Sequence, residues 1–463
     1  MRPRIARTIT PRIATAIVYV VVTWLILMDA TIVNVALPTL SRRLGVPPAH
    51  ADGVIVFFLV GLSVAMPTSA RLSERLGDKR SFLWASVAFV AASTLCGLAP
   101  SVGWLCGFRF LQGLAGGVLT PIGTTMYLHQ YAPDERARAS RLLMLPVAAA
   151  PAAGPLLGGI IVEHLSWQWV FFVNIPIGLP AAVFGWRFLE DHRTARAVHF
   201  DIRGLLLAGI GLAALMYGVS EGPADGWGSA RILTPIALGV VVLIRFVAIE
   251  LRSEDPLLRL RLFQEPVFAR AVIASLVGFG GYGAMLFALP VVLQQGRDIS
   301  PLATGLVVFP EALGIGLSTQ FAARLIPHVD PRALMIGGLV ACAAMVVVLA
   351  SLATSHGPLI LVGVAMFGAG TGIAYAMLSF QVTTFEAIPE ESNAYASTLW
   401  NVAMQVGAAV SVALLSTVLA LTISPRLSSY RTTLLVGAAI IMAGTIPAAA
   451  IPVGRRVVAD AYN

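Results

Sequence analysis

Apolar runs of roughly twenty residues recur from one end of the chain to the other, and this repetition limits the fold more than any other feature. A run of that length crosses the hydrocarbon core of a bilayer as a helix, the element that satisfies its own backbone N–H and C=O groups where water is absent. Prolines, glycines and charge clusters divide the chain into spans near 14–36, 53–71, 81–99, 104–128, 142–162, 169–189 and 204–220. Seven more follow near 232–249, 268–293, 302–322, 333–353, 359–380, 395–421 and 433–453. Only 12% of the residues are charged and 57% are hydrophobic, whereas a soluble domain carries about a quarter charged residues. The expected fold is an all-α integral membrane protein of about 14 transmembrane helices.

Basic residues orient the spans, because insertion and the membrane potential keep them in the cytoplasm. Of the 31 Lys and Arg residues, Arg42, Arg43, Arg231, Arg297, Arg426 and Arg431 fall on one side and Arg109 lies inside a span. The remainder fall on the opposite side together with both termini, so both termini are expected in the cytoplasm and the chain in the cell (inner) membrane as a multi-pass protein. The net charge of +8 is dispersed in short segments between spans rather than gathered on a soluble face, which argues against nucleic acid as a partner. Arg2, Arg4, Arg7 and Arg12 precede the first run as they would in a signal peptide. That run is long and lacks a small-residue cleavage site, and it reads as an uncleaved first span. Cys96, Cys106 and Cys342 lie in or beside apolar runs without paired spacing, as packing residues. No metal or cofactor is implied.

The longest non-apolar stretch, near 251–267, leaves no soluble domain for an active site, and the seven histidines are scattered, so an enzyme is not expected. The absence of a Gly-x-x-x-x-Gly-Lys-Ser/Thr loop disfavours a nucleotide-driven pump; Lys79 is the sole lysine. Ser69-Ala70-Arg71-Leu72 closes the second span as Ala322-Ala323-Arg324-Leu325 closes the tenth, the offset that two related six-helix halves with two helices between them would produce. The expected organisation is an N-terminal six-helix bundle over 1–190, two additional central helices and a cytoplasmic linker over 191–267, and a C-terminal six-helix bundle over 268–463.

Several stretches carry a resemblance. Ala70-Arg71-Leu72-Ser73-Glu74-Arg75-Leu76-Gly77-Asp78-Lys79-Arg80, between the second and third spans, resembles the signature loop of the major facilitator superfamily. That family prefers Gly at the Ala70 position, Asp at Glu74 and a basic residue at Asp78. Arg109 to Gly117 in the fourth span is similar to the family's fourth-helix motif, whose arginine is associated with proton transfer. Pro151 to Gly159 in the fifth resembles the antiporter motif of exporters, on Gly154, Pro155, Gly158 and Gly159. Asp29 to Pro38 and Trp167 to Gly178 resemble the fourteen-helix drug:proton antiporter branch, which usually has Arg where Gln168 stands. The resemblance implies a conformational role for Arg71, Glu74, Arg75, Gly77 and Asp78, and first and fourth helices that line a central cavity together.

An exchanger needs a group whose protonation competes with substrate binding, and intramembrane carboxylates are the natural candidates. Only Asp29 and Glu311 lie well inside spans. Arg109 is the third candidate, since an arginine within a span costs ~2.5–3.5 kcal/mol even on the lenient insertion scale. Asp29 and Arg109 come out at similar depth, about 10 Å and about 8–9 Å from the outer ends of their spans at 1.5 Å per residue. Asn34, Gln112, Asn401 and Gln405 are candidate polar groups of the substrate cavity. Gln112 shares a face with Arg109, Asn34 points about 140° away from Asp29, and for Asn401 and Gln405 helix-to-helix hydrogen bonding is an equal alternative. The expected function is proton-coupled export of amphipathic, cationic drugs or toxic compounds by alternating access, acting as a monomer. The alternatives are export of a lipid, metabolite or endogenous antibiotic by the same fold, and a non-transporting membrane sensor or scaffold.

Overall fold

The computed structural model describes residues 10–46, 51–131, 150, 153–190, 201–253, 256–326, 328–355, 357–389, 392–421 and 427–452. Among them the ordered structure is helical, with no strand. The chain runs through α1 (Pro11–Leu44), α2 (Gly53–Ala65), α3 (Ser69–Leu76), α4 (Asp78–Gly97), α5 (Val102–Leu128), α6 (153–164), α7 (Trp169–Phe172) and α8 (Asn174–Phe188). It continues through α9 (Ile202–Asp225), α10 (Ala230–Arg252), α11 (Pro266–Val291), α12 (Pro301–Val308), α13 (Pro310–Leu325), α14 (Pro331–Thr354), α15 (Leu359–Glu386), α16 (Asn393–Leu421), α17 (Leu427–Ala443) and α18 (Thr445–Ala449). Twelve described helical segments are long and apolar enough to cross a membrane, and the helical stretch Gly53–Thr68 is a shorter apolar one. The fifth expected span, 142–162, lies partly outside the described residues.

Local chemistry explains where these helices start and stop. Thr10 caps α1 by accepting the Ile13 N–H, Pro11 supplies a preset φ at the first position, and Gly45 closes the helix at φ +69°. Arg42 and Arg43 occupy its last turn, where cations offset the helix dipole. Between α3 and α4 the chain reverses in a single residue, Gly77, at φ +86° and ψ 149°. An L side chain is strained there, which gives the glycine of the charged loop a backbone reason to exist.

In the first bundle α5 packs on α1, α2 and α4, and α8 packs on α1 and α4. Glycines let α2 and α5 touch along their backbones: a Cβ on Gly113 would lie 3.0 Å from the Gly61 Cα. In the second bundle α11 packs on α15, α16 and α17, and α14 on α15 and α17. The backbone of Glu311 at the start of α13 rests on Gly370 of α15, whose added Cβ would meet the Glu311 Cα at 3.2 Å. Helix α9 lies against α2 and α16, while α10 packs on α9 and turns Leu233, Leu238, Val241 and Ile244 outward, an apolar surface that matches hydrocarbon. The bundles also meet directly, α1 against α11 and α2 against α16.

Candidate functional site

Three helices bring their polar side chains together inside the first bundle. Asp29 stands mid-way along α1, Arg109 and Gln112 one turn apart on α5, and Asn174 at the start of α8; none has exposed surface. Arg109 Nη1 donates to Asp29 Oδ2 in a salt bridge and to Gln112 Oε1 at 2.9 Å. Gln112 Nε2 donates to Asp29 Oδ1 at 3.0 Å, and Asn174 Nδ2 to the same oxygen at 2.6 Å. The guanidinium is held in turn by the Val54 carbonyl, 3.0 Å from Nε, and by the Phe58 ring, whose centroid is 3.9 Å from Cζ. Each charge thus has a partner and further hydrogen bonds, the condition under which a buried pair is tolerated in low dielectric.

A second polar site lies between the bundles. Thr31 and Asn34 of α1, Pro155 of α6, Leu286 and Pro290 of α11, and Glu311 of α13 line a cavity of about 20 Å³, room for little more than one water. Asn34 Oδ1 is buried without a hydrogen-bond partner. Among the described residues no Lys or Arg forms a salt bridge with Glu311, which is 3% exposed. One helix therefore serves both sites: α1 turns Asp29 into the bundle and Asn34 toward the cavity.

The glycine-proline stretch of α6 also works on two sides. A Cβ on Gly158 would meet the Ile32 carbonyl oxygen at 2.8 Å, and one on Gly154 the Met28 carbonyl oxygen at 2.9 Å, so these glycines seat α6 on α1 beside Asp29. Gly159 faces the other bundle, with the Pro301 carbonyl oxygen 2.6 Å from an added Cβ, and the Pro155 carbonyl crowds Gly305 of α12. Helix α6 is a wedge between α1 and α12.

The profile described as Major Facilitator Superfamily matches residues 19–412. The chain belongs to that superfamily. Among its relatives, the Multidrug resistance protein B homolog of Mycobacterium tuberculosis is 31% identical over 85% of this chain and 73% of its own length. The Puromycin resistance protein pur8 of Streptomyces alboniger is 35% identical over 85% of this chain and 79% of its own. In fold, the chain is similar to the POT family transporter PepTSo, with a TM-score of 0.69 at 14% identity over 96% of this chain and 98% of the other. The chain is thus a multi-pass membrane protein of a transporter superfamily whose matched relatives include proteins named for drug resistance.

The residues of the charged loop lie on α3, at the Gly77 turn and at the start of α4. Arg71 is buried and donates from Nη2 to the Pro256 carbonyl at 3.0 Å, joining α3 to the segment after α10. Asp78 accepts the Ser73 hydroxyl across the Gly77 turn and lies 4.0 Å from His129 Nδ1. Glu74 is half-buried and Arg75 exposed. Gln112 is placed in the buried cluster and does not line the small cavity. Asn401 donates to the Ser397 carbonyl of its own helix at 2.8 Å, and neither it nor Gln405 lines the small cavity. Sequence reading passed over Asn174 and Ser93; the available signal was an amide inside the Trp167–Gly178 stretch, where an unpartnered polar side chain is costly.

Two hydrogen bonds tie the bundles across their seam. Gln294 Nε2 donates to the Val35 carbonyl at 2.7 Å, and Glu163, just past the fifth span, accepts the Leu302 N–H of α12 at 2.9 Å. The Leu302 N–H, together with the Ser300 hydroxyl and neighbouring His164, holds the Glu163 carboxyl below the usual carboxylate range. A carboxyl lowered by a contact strengthens that contact at pH above its ordinary value and loses it as pH falls through the lowered one. Glu163→Gln at neutral pH, or acid at the seam, is expected to raise the separated population a few-fold, because a neutral acceptor makes a hydrogen bond about half as strong. Spin labels on the two sides of the seam report this as a longer distance; an unchanged distribution in the variant would remove Glu163 from the closure.

Proposed function

We propose that the protein is a proton-driven exporter of amphipathic cationic compounds across the inner cell membrane. It has fourteen spans with both termini cytoplasmic, and works by rocking the bundles 1–190 and 268–463, with 191–267 contributing two additional helices. The observation that carries this reading is the buried Asp29–Arg109 pair, one face of α1 away from a cavity that holds Glu311. In this closed state the cavity has room for little more than one water; widened by the rocking of the bundles, it offers a carboxylate and an unpartnered amide oxygen, acceptors that suit a cation bearing N–H groups and apolar surface. Asp29, Arg109 and Glu311 are the proton-coupling groups. A cation in the cavity and a proton on a carboxylate compete through charge, so binding one favours release of the other. Each proton that enters down the potential gains ~2.3 kcal/mol per 100 mV, and a monocation leaving against it gives the same amount back. One-for-one exchange is therefore driven by the pH gradient, and the potential contributes only when more than one proton enters per substrate.

The test is flux in reconstituted vesicles. Ethidium, an amphipathic aromatic monocation, is expected to move against an imposed pH gradient and to release protons when added without one. Movement indifferent to the gradient, with no substrate-driven proton flux, would refute the coupling. Export of a single antibiotic is the second reading, favoured by the relative named for puromycin resistance; a panel of unrelated cations separates the two by whether more than one is exported. The orientation has its own check: single cysteines near Gly226 and Arg297 are expected to label from outside intact cells, and cysteines near Lys79 and Arg259 are not. External labelling at Lys79 would reverse the topology.

A further inference from the structure

Asn174 has a bonding pattern that the ion pair alone does not require. It opens α8 directly after the interruption at Val173 that separates α7 from α8, and it is fully buried. Both hydrogens of its amide are used, one on Asp29 Oδ1 at 2.6 Å and one on Ser93 Oγ at 2.8 Å. The Ser93 hydroxyl in turn donates to the Phe171 carbonyl of α7 at 2.9 Å. Asn174 Oδ1 is buried with no hydrogen-bond partner, an arrangement that costs free energy unless the oxygen has a use.

The use follows from counting donors and acceptors. Arg109, Gln112 and Asn174 all aim N–H groups at Asp29, which suits a carboxylate that only accepts. A protonated Asp29 carries one O–H that needs an acceptor; arginine has none, and Gln112 Oε1 is already engaged by Arg109. The acceptor left without a partner in this cluster is Asn174 Oδ1.

We propose that Asn174 is the positioning residue that reads the charge on Asp29: its amide donates to the ionised carboxylate and, turned over, accepts from the protonated one, passing the change through Ser93 to the break in the sixth span. This rests on the assignment of Asp29 as a coupling acid. With the amide turned, Oδ1 accepts from the Asp29 O–H and from the Ser93 hydroxyl. Ser93 has one hydrogen, so it leaves the Phe171 carbonyl. The two amide N–H groups then point away from Asp29 and Ser93, and the pattern is stable only after the α7–α8 junction moves. A proton on Asp29 thereby selects a second backbone arrangement, the two-state element that coupling requires.

The experiment is the pH dependence of ethidium binding to the purified, folded full chain, compared for the parent, Asn174→Leu, Ser93→Ala and Asp29→Asn. Asn174→Leu removes, at nearly constant volume, both the donor to the ionised carboxylate and the acceptor for the protonated one. The charge-assisted bond is about twice as strong, so the midpoint is expected to move up, by up to about one pH unit, a gain in proton affinity of up to tenfold. Ser93→Ala frees the amide from its second anchor and is expected to move the midpoint the same way by less. A purely structural role would lower the amount of folded protein and leave the midpoint in place. Parental midpoints in both variants, with the pH dependence abolished in Asp29→Asn, would overturn this inference and leave Asp29 as the coupling acid. Parental pH dependence in Asp29→Asn would instead remove Asp29 from coupling and the inference with it. Should Asn174→Leu not fold, an unshifted midpoint in Ser93→Ala overturns the relay by itself.

Discussion

Asp29→Asn is expected to reach the membrane folded and to lose substrate-driven proton flux by about 10²-fold or more, because the group that carries the proton is gone. The amide is close in shape to the carboxylate, but it leaves Arg109 buried without its counter-charge, a change that costs about 3–5 kcal/mol in soluble proteins. Here the guanidinium keeps the Val54 carbonyl, Gln112 Oε1 and the Phe58 ring, which places the loss at the low end of that range, visible as a lower melting temperature rather than misfolding. Arg109→Ala acts in the opposite sense. Asp29 keeps its Gln112 and Asn174 donors and takes up a proton more readily, so substrate binding shifts toward higher pH while a proton carrier remains. Thermal denaturation of the purified variants measures the first effect and flux in vesicles the second. Flux at the parental rate in Asp29→Asn would make Glu311 the leading coupling acid.

Gly158→Leu is expected to insert in normal amounts and to transport at less than about a tenth of the parental rate, since overpacking a tight contact costs about 1–3 kcal/mol and is felt in every conformation that needs it. Insertion is not impaired, because leucine at the centre of a span favours the membrane by a few tenths of a kcal/mol. The damage is local. An added Cβ already stands 2.8 Å from the Ile32 carbonyl oxygen and 3.0 Å from Ile32 Cγ1, and three further carbons must push α1 away between Asp29 and Asn34. Because α6 is wedged against α12 on its other side, displacement of α1 also disturbs the seam between bundles. Gly337→Leu is the control: it is an exposed helical glycine with nothing within 4 Å of its added Cβ. Parental transport by Gly158→Leu, or equal loss in the control, would leave the wedge without a role in transport.

The sequence by itself determined that this chain lives in a bilayer as a bundle of helices, that it belongs with transporters, and that Asp29 and Arg109 lie at matching depth. Those features are one-dimensional: the length of an apolar run, the position of a charge along it and the 1.5 Å rise of a helix fix depth without reference to neighbours. Only the tertiary structure decided rotation and partners. It placed Gln112 with Asp29 and away from the cavity, added Asn174 and Ser93 to the cluster, brought Asn34 of one bundle to the same cavity as Glu311 of the other, and turned Gly159 toward α12 while Gly154 and Gly158 face α1. In a soluble helix an apolar stripe announces the inward face. In lipid both the outward and the inward face are apolar, so the face that touches a neighbour is chosen by close packing of small residues and by polar groups that find one another across the fold, tens to hundreds of residues apart.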